Sequence, residues 1–79
     1  MMYCCWTGTK DCWEVCRSVE APNLTIAMNH FLNELLVHPP IRKEHKGAMY
    51  ARYPGKPTFW LVFEEGKGPS LHTLKGARG

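Results

Sequence analysis

Between residues 23 and 36, Leu24, Ala27, Met28, Phe31, Leu32, Leu35 and Leu36 recur at helical spacing, with Thr25, Asn29, His30, Asn33 and Glu34 between them. The pattern predicts one amphipathic helix that must bury its apolar stripe against another layer. Asn23 is the expected N-cap, because its side chain can accept from the open amides of the first turn. Pro22 before it prevents an earlier helical start. Ile26 stands where a capping box would need Glu or Gln. Pro39 and Pro40 stop the helix, since neither donates and each pushes its predecessor toward extended geometry.

The segments on either side read as strands, so the helix has a sheet to cover. Thr7-Gly8-Thr9-Lys10 is expected to turn a hairpin, with Gly8 supplying a positive φ. That register sets Trp6 opposite Asp11, Cys5 opposite Cys12, Cys4 opposite Trp13 and Met2 opposite Val15. One face would carry Met2, Cys4, Trp6, Trp13, Val15 and Val19, and is the expected helix side. The other would carry Tyr3, Cys5, Cys12, Glu14, Cys16 and Ser18.

After the prolines, residues 41–46 read as a basic segment and residues 47–53 as a strand. Pro54-Gly55-Lys56-Pro57 signals a turn. Residues 58–65 form the clearest strand, being rich in β-branched and aromatic side chains. Apolar residues on both of its parities point to a central place in the sheet. The fold class is therefore α+β: a two-layer β-β-α-β-β arrangement, with an antiparallel sheet and one amphipathic helix on one face. Residues 1–65 make a single domain. Residues 66–79, with four glycines and few large apolar residues, read as a flexible basic tail.

A chain of 79 residues removes only about 60% of its unfolded surface from water, so its stability margin is thin. The longest apolar run, residues 59–63, is far short of the roughly 20 needed to span a bilayer. The first six residues lack the basic start and apolar stretch of a signal peptide. A reducing, cytoplasmic setting is the expectation, with no membrane association. Charge is divided unevenly. Residues 1–37 hold Lys10 and Arg17 against Asp11, Glu14, Glu20 and Glu34, a net −2; residues 38–79 hold eight Lys or Arg against Glu44, Glu64 and Glu65, a net +5.

Cys4, Cys5, Cys12 and Cys16 lack the tight paired spacing of a zinc knuckle, and neighbours on a strand point to opposite faces. In the expected register Cys5 and Cys12 oppose each other at a distance that permits a disulfide. No Cys-x-x-Cys pair is present, and His30, His38, His45 and His72 have no helical metal-binding spacing. No cofactor motif and no set of catalytic groups emerges. In residues 42–56, Arg42, Lys43, Lys46, Tyr50, Arg52, Tyr53 and Lys56 mix rings with cations, a composition that can hold single-stranded nucleic acid. Tyr50 and Arg52 share one strand face and Tyr53 takes the other.

One helix covers one side of a sheet, and an apolar reverse side usually marks a contact. The expected function is a small non-enzymatic binding module working by protein–protein contact. It would be an adaptor or inhibitor of the kind phages and mobile elements encode, or a homodimer joined through that open face. Tyr3, Glu14, Tyr50, Arg52 and Trp60 are the candidate partner contacts. The alternatives are a single-stranded nucleic-acid binder using the basic half, and a small zinc-binding module.

Overall fold

The computed structural model describes residues 1–9 and 11–67, with Val15 and Cys16 described by backbone alone. Five strands and one helix occur among them: β1 (Met2–Thr9), β2 (Cys12–Glu20), α1 (Leu24–Glu34), β3 (Ile41–His45), β4 (Ala48–Arg52) and β5 (Phe59–Glu64). The strands form one antiparallel sheet in the order β2-β1-β5-β4-β3. The α+β class with an antiparallel sheet and a single helix is as expected. The strand count is not, because residues 41–45 of the basic segment are a strand. Most of the expected tail, from residue 68 on, lies outside the described residues.

The helix forms where its stripe predicts. Asn23 is the N-cap, and its side-chain oxygen accepts from the Ile26 amide at 2.9 Å. Ala27, Met28, Phe31 and Leu32 are fully buried. The expected stripe runs two residues too far, since the helix ends at Glu34. Leu36 N–H donates to the Asn33 carbonyl and Val37 N–H to the Leu32 carbonyl. This pair of bonds is a Schellman cap, which requires a left-handed residue at its turning point. Leu36 fills that position with φ 58° and is 85% exposed.

The chain leaves the sheet at one edge (β2) and re-enters at the other (β3), so α1 and the segment after it cross the whole layer. An 11-residue helix is about 16 Å long, and five strands span roughly 19 Å. The helix packs on β1, β2, β4 and β5, and meets β3 through the side-chain bond from Arg42 to Asn29. That explains the composition of β3: with no packed apolar cover, Arg42, Lys43, Glu44 and His45 are all exposed. Charged edges of this kind also discourage pairing with another sheet. The β3–β4 connection is two residues long, with φ 51° at Lys46 and 79° at Gly47. Positive φ at both central positions is the type I′ geometry that matches strand twist.

The hairpin register differs from expectation. Thr9 pairs with Cys12 and Trp6 with Val15, so the ladder continues through Gly8 and Thr9, past the expected turn. The pairing then shifts, leaving Cys16 out of the ladder, and resumes with Cys5 opposite Arg17 and Tyr3 opposite Val19. A bulge reverses the facing of everything beyond it. Val19, beyond the bulge, therefore joins Tyr3 and Cys5 of β1 under the helix, while Trp13, before it, joins Cys4 and Trp6 on the other side. Packing selects this arrangement. The helix brings the bulky Met28, Phe31 and Leu32, and the sheet meets them with Tyr3 and Trp60 alongside small Cys5, Ala51 and Val62, the last three without exposed surface. Two further indoles on this side would overfill the layer.

The cap supplies a test. A left-handed leucine costs about 1–2 kcal/mol that glycine does not, and Leu36 buries almost nothing. Leu36→Gly is expected to stabilise the fold by about 1 kcal/mol, raising Tm by roughly 4–8 °C. A lowered Tm in thermal unfolding would show that Leu36 packs in solution.

Candidate functional site

The sheet side away from the helix carries a second cluster. Trp6, Leu61 and Phe63 are buried in it, with Cys4, Trp13, Ala48 and Tyr50 half-buried around them. Among the described residues, no helix or second sheet lies over this face. Aromatic rings cover the strands instead. Trp6 and Phe63 have centroids 5.7 Å apart, Trp13 and Phe59 6.0 Å, and Tyr50 and Phe59 6.3 Å.

The last two contacts join three half-buried rings into a strip: Tyr50 on β4, Phe59 on β5 and Trp13 on β2. Strand β1 runs between β5 and β2, and its residue in that row is Gly8, paired with both Phe59 and Trp13. The flanking strands are about 9.5 Å apart, and Gly8 adds no side chain to the row that the two rings bridge. Its backbone is also closed to other residues. It has φ 153°, and a Cβ there would lie 2.1 Å from the Cys12 carbonyl oxygen.

Register places cations beside this strip. Arg52 pairs with Phe59 and Lys43 with Tyr50, so both share the face of the rings; His45, paired with Ala48, lies on the same side. The alternate positions of β3, Arg42 and Glu44, pair with Ala51 and Met49 and fall on the helix side. Arg42 there donates to the side chain of Asn29 on α1. Neither Lys43 nor Arg52 has an ion-pair partner among the described residues. The carboxylates nearest this face lie toward its other margins. Glu20 is at the Met2 end of β2, Glu65 is beside Cys4, and Asp11 is in an open depression of about 480 Å³. Thr9, Gly55, Lys56, Pro57 and Phe59 line the rest of that depression.

The residues singled out from sequence divide between the two faces. Of the protein-contact set, Tyr3 and Trp60 are buried beneath the helix, Glu14 is exposed on edge strand β2, and Tyr50 and Arg52 lie on the ring face. Of the nucleic-acid set, Lys43, Tyr50 and Arg52 come together. Tyr53 packs edge-on against Trp60 at 6.1 Å, and its hydroxyl accepts from the His38 amide at 3.2 Å, both on the helix side. Lys46 and Lys56 are exposed in turns. Trp13 and Phe59 were not singled out. The signal for them was Gly8, which reads as a turn residue until the true register is known.

Cys12 opposes Thr9, so it is not the partner of Cys5 across the ladder, as the expected register had it. Burial, aided by the Glu65 carboxylate, holds the Cys4 thiol above its ordinary value. Among the described residues, no three His, Cys, Asp or Glu side chains are grouped to hold a metal ion. No described helix is long and apolar enough to cross a membrane.

Gly8→Ala is expected to destabilise the protein by about 2–3 kcal/mol, through forced backbone strain and overpacking. Urea unfolding checks it; a loss below about 0.5 kcal/mol would mean that the backbone at Gly8 accommodates a side chain.

The chain matches no family model, no curated protein and no solved structure.

Proposed function

We propose that the protein is a non-enzymatic binding module, acting in the cytoplasm, whose working surface is the helix-free face of the sheet. The observation that carries this reading is the continuous strip of half-buried rings, Tyr50, Phe59 and Trp13, bordered by Arg52 and Lys43. Aromatic and Arg side chains with part of their surface still in water are the usual anchors of an interface. The charge on this border favours a partner with negative charge. Within the contact set expected for a protein partner, Tyr50 and Arg52 are the members that remain available on this face.

A photo-crosslinking amino acid placed at position 50 tests the surface directly. In cells that carry the protein, crosslinked product is expected from position 50 and not from position 30, where His30 lies exposed on the helix. Equal capture from both positions, or capture from position 30 alone, would contradict the assignment.

A further inference from the structure

We infer that the partner of the ring face is single-stranded nucleic acid, its bases stacking on Tyr50, Phe59 and Trp13 and its phosphates meeting Lys43 and Arg52. This rests on the surface proposed above and names what that surface binds.

The rings support the inference first. Successive centroids along the strip lie 6.3 and 6.0 Å apart, with Tyr50 edge-on to Phe59 and Trp13 tilted from it. All three rings are half-buried and keep part of their surface open, and base–ring stacking accepts any base because each has a π-face. A duplex hides those faces within its own stack.

Charge supports it next. Strand β3 puts Lys43 and His45 on the ring face with no carboxylate between them, while Arg42 and Glu44 fall together on the helix side. Arg52 lies in the same row as Phe59, and Lys43 in the same row as Tyr50, so each cation stands beside a ring. That is the juxtaposition needed to grip a phosphate while its base stacks. Lys56 on the rim of the neighbouring depression extends the basic border past Phe59, although Asp11 opposes it there. An acidic protein surface would meet the same cations and rings, and the test below separates it from a nucleic acid.

The adjacent residues Arg42 and Lys43 make the test specific. Each Ala variant removes one positive charge from the same strand, but only Lys43 lies on the ring face. Fluorescence anisotropy with labelled oligothymidine and oligouridine of about 12 nucleotides, at about 50 mM salt, is expected to show binding that a matched duplex does not equal. Affinity should fall with added salt, with a logarithmic slope near −2 for about three phosphate contacts. Tyr50→Ala should weaken binding between about 5-fold and 150-fold, the equivalent of one lost stack. Lys43→Ala should reduce the salt slope by roughly one contact, and Arg42→Ala should leave it unchanged. Both are exposed on an edge strand, so the comparison does not depend on a core substitution.

The inference is overturned if neither oligonucleotide binds up to about 100 µM at low salt, or if Lys43→Ala and Arg42→Ala act alike. Equal affinity for the duplex overturns it as well. If the oligonucleotides fail while position 50 still crosslinks and position 30 does not, the face binds a protein: the inference falls and the binding surface stands. If position 50 also captures nothing, both fall.

Discussion

Strand β5 is apolar on both sides, and one helix among the described residues covers it. Trp60 and Val62 face the helix, whereas Phe59, Leu61 and Phe63 face away from it. Burying one face leaves the other in need of cover, and much of that cover comes from rings on neighbouring strands. Trp6 lies against Phe63, and Tyr50 and Trp13 flank Phe59. Aromatic side chains suit this task because each spreads a large apolar area over the sheet at little cost in side-chain freedom. The covering is shallow at the Phe59 end, where the rings stay half-buried. The candidate surface is thus a consequence of having one helix for a two-faced strand.

Alternation on the outer hairpin then decides what surrounds that surface. Along β3, the positions facing the rings are Ile41, Lys43 and His45, and those facing the helix side are Arg42 and Glu44. Arg42 is used within the fold, held by Asn29 on the helix. Arg17 is likewise occupied, bridging β2 to Glu34 of the helix. Lys43 and Arg52 differ from both in being unpaired among the described residues. The two sheet edges are guarded in different ways, β3 by exposed charge and β2 by its bulge.

Much of the fold was legible because its signals are local. The helix, its Asn23 cap and its stop before Pro39 follow from spacing and backbone chemistry alone. Strand β5 showed its central place through apolar residues on both parities. The turn at Pro54 and Gly55 was equally plain, and it closes with the Lys56 amide donating to the Tyr53 carbonyl at 3.2 Å. What stayed hidden depends on neighbours. Strand β3 has no helix above it, so it carries no alternation to read. The bulge at Cys16 leaves no mark in residue type, yet it turns Trp13 and Val19 to opposite faces. With the register misplaced, Gly8 looked like a turn and Tyr3 like an exposed anchor. Tyr50 and Arg52 were identified because a strand of regular pleat fixes their shared face, whereas Trp13 and Phe59 needed the three-dimensional row across Gly8.

The facing of β1 and β2 is the claim on which the candidate surface stands, and a two-dimensional nuclear Overhauser spectrum addresses it directly. Contacts are expected from the Phe31 ring to Cys5 and Val62, from the Trp13 indole to Phe59, and from the Trp6 indole to Phe63, with neither indole touching Met28 or Phe31. Cross-peaks from either indole to those helix side chains would place the tryptophans beneath the helix and contradict the account.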